Sequence, residues 1–274
     1  MADVVVGGLR LRYEADGQGQ PLMLVHGSWD DHHGWDLLVP FLLPSYRVFR
    51  YDRRGHGGSA CPPGQGRISE DVTDLAGLIE ELTTGPVHVV GHSYGATIAL
   101  LLALDRPELC QTVTVHEPPL FGLLAGTSQA PLLAQVRARM EQVVSLLTDG
   151  QVERGTRLFV DEVGFGPGTW EHVLTPRLRE TFIAHADTWL DQARDPGRLA
   201  LEAARLATIS VPVTITMGDQ SLPWYAPVMH TIADAVPDAG LGVIAGSAHA
   251  PHLTHPAEFA AAVTARAQCQ PSAR

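Results

Sequence analysis

Short apolar runs alternate with amphipathic stretches over much of this chain. Residues 4–13 read as a hairpin turning at Gly7-Gly8. Pro21-Leu22-Met23-Leu24-Val25 is an unbroken apolar strand that runs straight into His26-Gly27-Ser28-Trp29. Residues 46–51 form the next predicted strand. Residues 69–82 read as a helix, because Val72, Leu75, Leu78, Ile79 and Leu82 fall on one face. Val87-His88-Val89-Val90 is again strand-like, an apolar helix is predicted from Ala96 to 104, and residues 112–115 make a further strand. Strands alternating with helices predict an α/β fold with a parallel, doubly wound sheet. Ligands of such sheets bind beyond the carboxyl ends of the strands.

From Pro118 to about Thr208 the rhythm changes. Residues 132–147, 151–163 and 177–194 read as helical around a loop at 164–168, with no convincing strand. We therefore expect a helical cap over 118–208, inserted into a core made of 1–117 and 209–274. Aromatic residues concentrate in the cap, and most of them should pack its interior. Phe121, Phe165 and Trp189, with Trp29 of the core, are the candidates for the wall of a small-molecule pocket. Residues 211–217 and 241–245 return to the sheet, residues 256–267 form a last helix, and the tail from 268 to 274 is expected to fray.

Composition narrows the function. The 274 residues suffice for one large domain with an insertion, and a formal net charge of −11 lacks the basic footprint of a nucleic-acid binder. All 19 basic residues are arginine, and neither lysine nor asparagine occurs, so Schiff-base chemistry and a Ser-Lys dyad are excluded. Cys61, Cys110 and Cys269 show no metal or redox spacing and read as reduced thiols of a cytoplasmic protein. Neither a signal peptide nor a membrane-spanning run is read in the chain. The oligomeric state stays open, a homodimer being one option.

The candidate chemistry centres on Gly91-His92-Ser93-Tyr94-Gly95, a GxSxG turn between a strand and a helix. Such a turn holds the serine hydroxyl clear of the helix, with the next backbone N–H free to bind an oxyanion. A serine hydroxyl needs an imidazole to take its proton, and the imidazolium needs a carboxylate. His249 follows the end of the last strand at once and is the natural base, whereas His252 and His255 read as loop and helix-start residues. Asp30-Asp31-His32-His33 invites a metal reading, but adjacent side chains diverge and no second cluster has ligand spacing, so no metal and no cofactor are expected.

With these motifs the sequence resembles the α/β-hydrolase superfamily over nearly its whole length. The likeness rests on His26-Gly27, on Asp52-Arg53-Arg54-Gly55-His56-Gly57-Gly58-Ser59, on the serine turn and on Gly246-Ser247-Ala248-His249, in the family's order. The resemblance implies about eight strands, a cap between the sixth and seventh, Ser93 as nucleophile and His249 as base. The oxyanion donors would be the main-chain N–H groups of Tyr94 and Ser28, with Trp29 as alternative.

The acid departs from the pattern. The usual family position, three residues after the glycine ending strand seven, is Ser221 here. Glu117, ending strand six, is the preferred candidate and Asp219 the alternative; an acid after strand six is similar to the placement in some haloalkane dehalogenases and in the fungal zearalenone lactonases. The expected activity is hydrolysis of a carboxylic ester or lactone of an apolar small molecule through an acyl-enzyme. A cofactor-free haloperoxidase, a C–C bond hydrolase and a receptor without turnover remain the rivals. Serine at the turn argues against epoxide hydrolase and dehalogenase chemistry.

Overall fold

In the computed structural model, which describes residues 1–64, 66–199 and 201–267, eight strands form one sheet in the order β1-β2-β4-β3-β5-β6-β7-β8. They are β1 Ala2–Val6, β2 Leu9–Gly17, β3 Gln20–Val25, β4 Tyr46–Tyr51, β5 Val87–His92, β6 Cys110–His116, β7 Val213–Gly218 and β8 Ala239–Ile244. β1 and β2 pair as the expected hairpin, with Val6 opposite Leu9, and β2 lies antiparallel on β4. From β4 to β8 every pairing is parallel. Side chains on a strand alternate between faces, so the sheet divides its apolar residues in two. Leu22 and Leu24 join Trp35, Val48 and Phe259 on one side, while Met23 and Val25 join the larger core on the other.

The helices that matter for the site follow from the same pattern. α1 (Ile68–Leu82) buries Val72, Leu75, Leu78 and Ile79 as expected, and α2 (Tyr94–Asp105) is buried from Tyr94 to Ala103. A helix apolar all round has no face to give to water and sits inside. Between β6 and β7 the described residues form no strand, and the longer helices there are α3 (Ala130–Thr148), α4 (Val152–Phe159), α5 (Pro176–Ala184) and α6 (Ala186–Arg194). Sequence periodicity predicts one helix over 177–194, but the structure breaks it at His185. The ring of that residue donates from Nδ1 to the Trp29 carbonyl at 3.0 Å and accepts the Gly57 N–H at Nε2 at 3.1 Å. The break therefore joins the helical segment to the two loops that follow β3 and β4.

α7 (Tyr225–Ala235) and α8 (Pro256–Ala267) complete the sheet's cover. α7 was not expected, although Tyr225, Val228, Met229 and Ile232, all buried, carry a helical spacing. Among the described residues no helix is long and apolar enough to cross a membrane. The tail 268–274, with Cys269, lies outside them.

Candidate active site

The turn after β5 is shaped by close approach. A Cβ on Gly91 would come within 2.4 Å of the Gly95 carbonyl oxygen, and one on Gly95 within 2.2 Å of that of Val25. Only glycine fits at either place, which lets α2 start directly against β3 and β5. Ser93 between them has φ 54° and ψ −121°. Among the described residues only one other non-glycine has positive φ, namely Glu117 at 46°. Such backbone persists only where the surroundings enforce it, and here it occurs at the two residues singled out as nucleophile and acid.

Glu117 is wholly buried at the end of β6, and its Oε2 accepts the Nδ1–H of His249 at 2.7 Å. Its other oxygen accepts the Gly218 N–H at 2.9 Å and the Ser221 hydroxyl at 2.6 Å. Burial alone would raise this carboxyl, but the adjacent His116 and the hydrogen bonds from His249 and Ser221 hold it below the ordinary carboxylate range. Ser221, at the position where the resemblance places the family's acid, thus donates to the carboxylate at the end of β6. Asp219, the alternative, faces elsewhere: its Oδ1 accepts the Gly246 N–H at 2.8 Å, bracing the turn before His249.

In the neutral tautomer that gives its Nδ1–H to Glu117, the Nε2 of His249 carries the lone pair. It meets the hydroxyl of Tyr225 at 3.4 Å, and no hydrogen bond joins it to Ser93 among the described residues. The Tyr225 ring stacks on His249 at 4.5 Å and 22°, and Phe165 meets His249 edge-on at 5.0 Å. Sequence reasoning missed Tyr225. Burial holds its hydroxyl protonated, a donor aimed at the lone pair.

Ser93 opens on a pocket whose wall includes Ser28, Tyr94, Phe121, Trp189, Arg198 and Tyr225. Two of the four expected wall residues are therefore in it, Phe121 and Trp189. Trp29 and Phe165 are not: Trp29 stacks behind Trp189 at 5.3 Å, and Phe165 packs between His249 and Phe182. The amide of Ser28 donates to no carbonyl among the described residues, and that of Tyr94, at the first position of α2, has no partner within its own helix. Both flank Ser93 on the pocket. Gly27 lets them close in, since a Cβ there would lie 3.3 Å from that of Ser93. Trp29, the alternative donor, lies off the wall.

The loop carrying Ser28 is held from beneath. Buried Arg53 donates to the carbonyls of His26 and Gly27 at 3.2 and 2.9 Å and pairs with Asp71 at 3.1 Å. His26 returns the contact, accepting the Arg53 N–H at 3.0 Å. This accounts for the arginine in the Asp52–Ser59 motif.

Metal-like groupings do form: the donor atoms of His116, Glu117 and His249, and of Asp31, His32 and Asp52, each lie within 4.8 Å of one another. In both groups a histidine Nδ1–H is already given to a carboxylate, at 2.7 Å for His249 and 2.6 Å for His32. An ion would have to displace that proton.

Residues 22–262 match the profile of the alpha/beta hydrolase family. The chain belongs to that family. This alpha/beta hydrolase is 27% identical over 259 residues to the pimeloyl-[acyl-carrier protein] methyl ester esterase of Aeromonas hydrophila, covering 90% of this chain and 94% of that one. It is 32% identical over 175 residues to the uncharacterized hydrolase YraK of Bacillus subtilis, a match spanning 63% of this chain and 61% of the relative. A thermophilic esterase from Thermogutta terrifontis superposes with a TM-score of 0.76 over 98% of each chain, at 22% identity, a likeness of fold.

The hydrolase carries an unusual load of buried neutral imidazoles around this site. Burial lowers the pKa of His26, His56 and His92 well below the usual histidine value, that of His116 to about 4 and that of His252 to about 3. The unfolded chain takes up protons as pH falls through about 6.5 while the folded chain does not, so stability declines as pH falls below that point. Asp30 opposes the trend, because burial raises its carboxyl to about 8 and folding then favours its protonated form below that pH. Each histidine contributes up to about 1.4 kcal/mol per pH unit, so the net loss between pH 6.5 and 5 should exceed about 2 kcal/mol per unit. Urea unfolding across this range checks it; a flat stability profile would mean that these rings titrate normally.

Proposed function

We propose that this protein is a serine hydrolase that cleaves a carboxylic ester or lactone of a largely apolar small molecule through an acyl-enzyme. The observation that carries the reading is the buried 2.7 Å bond between Glu117 and His249 beside a pocket that has Ser93 on its wall. Ser93 Oγ attacks the carbonyl carbon while His249 Nε2 takes the hydroxyl proton, and Glu117 stabilises the imidazolium. The Ser28 and Tyr94 N–H groups hold the oxyanion, an arrangement commonly worth about 3 kcal/mol per donor in the transition state. His249 then passes its proton to the leaving oxygen, and a water attacks the acyl carbon with His249 as base. Tyr225 and Phe165 fix the plane of the His249 ring, and the helices of 118–208 act as a cap that keeps solvent from the acyl group. Esterase activity in the Aeromonas relative and the fold shared with the Thermogutta esterase support the reaction class.

Treatment with a fluorophosphonate tests the reading. One equivalent should bind covalently, with the adduct located on Ser93 by peptide mass spectrometry, and the untreated protein should turn over short 4-nitrophenyl esters. A folded protein that takes no label and opens neither esters nor lactones would instead be a receptor built on this fold.

A further inference from the structure

The pocket wall is apolar apart from its catalytic rim and one cation. Arg198 is 9% exposed and lines the same pocket as Ser93. It has no hydrogen-bond or ion-pair partner among the described residues, and its Cζ lies 5.8 Å from the centroid of the Trp189 ring. The nearest acid in sequence, Asp195, accepts the backbone N–H groups of Ile68 and Gly197 at 2.8 and 2.9 Å and makes no ion pair with Arg198. The other deeply buried arginine, Arg53, is by contrast bonded to two carbonyls, Asp71 and the His56 ring. A guanidinium stripped of most of its hydration with no acid or carbonyl bonded to it is costly to keep, so its place beside a reactive centre implies a partner that arrives with the substrate. A second donor stands with it. The Tyr94 hydroxyl is buried and has no partner among the described residues, and Tyr94 lines the same pocket as Arg198.

We infer that Arg198, assisted by the Tyr94 hydroxyl, binds a carboxylate of the substrate, so that the natural ester or lactone carries a second, free carboxylate across an apolar chain from the scissile bond. One planar guanidinium and one hydroxyl match a two-oxygen monoanion; a phosphate dianion would leave charge uncompensated in an apolar wall. Long-range attraction cannot select such a substrate, because the net charge is −11. Selection must come from this local contact. The inference rests on the serine-hydrolase reading for the bond cleaved, but not for the binding of the anion.

The experiment has two arms. In the first, kcat/KM is compared for the mono-4-nitrophenyl esters of adipate and suberate and for the neutral hexanoate and octanoate esters of the same length. The charged esters should be preferred about 10–100-fold, the size of one hydrogen-bonded charge contact. Arg198→Met should bring the ratio near one, Arg198→Lys should keep part of it, and Tyr94→Phe should reduce it without disturbing the oxyanion amide. In the second arm, hexanoate and hexyl phosphate are titrated calorimetrically into Ser93→Ala and Ser93→Ala/Arg198→Met. Binding of hexanoate that disappears with Arg198 supports the site whether or not any ester is cleaved; turnover without charge preference overturns it while leaving the hydrolase reading intact. Tighter binding of hexyl phosphate would overturn the carboxylate assignment. Equal hexanoate binding with and without Arg198 would overturn the site.

Discussion

Replacing Ser93 with alanine is expected to lower kcat toward a 4-nitrophenyl ester by about 10⁵–10⁶-fold, the scale on which a serine nucleophile is lost, while leaving the fold in place. The change removes one oxygen and no packing volume. Alanine at the backbone angles of residue 93, φ 54° and ψ −121°, is strained no more than serine, so the melting temperature should hold within a few degrees. The Ser28 and Tyr94 amides, the Glu117–His249 pair and the pocket all remain, and residual activity measures what they achieve without a nucleophile. Pre-steady-state kinetics adds a second reading: a burst of nitrophenol in the parent protein reports acyl-enzyme accumulation, and the burst should vanish with Ser93. Activity within tenfold of the parent would mean that the acyl group never resides on Ser93, and the mechanism would have to be rebuilt around water activated by His249.

Much of this site was legible before any coordinates, and the rest was hidden for physical reasons. The turn at 91–95 could be read because its glycines answer a local steric demand, which leaves a local signature. His249 could be read because it follows a strand end, a place the topology turns toward ligands. The acid was ambiguous because Glu117 and Asp219 both end strands at the same sheet edge, and only the paths of two side chains separate them: one meets His249 Nδ1, the other the Gly246 amide. Tyr225 went unseen although the spacing of its helix was there to read; stacking on an imidazole 24 residues away leaves no mark in a single sequence. Which aromatic rings face the pocket could not be read, since depth behind a ring such as Trp189 depends on how the segment 118–208 docks, and its docking group, His185, sits where periodicity predicts an unbroken helix. Arg198 was invisible because an arginine in a Pro-Gly-Arg-Leu turn is normally solvated, and only its burial sets it apart.

Glu117→Gln should lower kcat by about 10³–10⁴-fold, as the loss of the carboxylate from such a triad does, with little change in KM. The size follows from the hydrogen bonds. Glu117 accepts on both oxygens, from His249 on one and from Gly218 and Ser221 on the other. Glutamine has one acceptor oxygen and one amide donor. If the oxygen stays with Gly218 and Ser221, the amide faces Nδ1 of His249 and selects the tautomer with its proton on Nε2, which cannot take a proton from Ser93. If the oxygen turns to His249, the Ser221 hydroxyl can accept from the amide, but the buried Gly218 N–H faces a donor and loses its acceptor. The first outcome gives His249 the wrong tautomer and the second strips its imidazolium of a counter-charge, whereas Asp219→Asn, which keeps an oxygen for the Gly246 amide and touches no group on His249, should leave the rate within about twofold, on the order of a substitution worth about 0.5 kcal/mol. The relocated acid also predicts a rescue. Ser221 already contacts Glu117 at 2.6 Å, so Ser221→Asp in the Glu117→Gln background places a carboxylate where the family pattern has one and should recover part of the loss. Recovery would establish that the site needs a carboxylate against Nδ1 and is indifferent to the strand that supplies it; a collapse at Asp219→Asn with Glu117→Gln active would move the acid to the turn before His249.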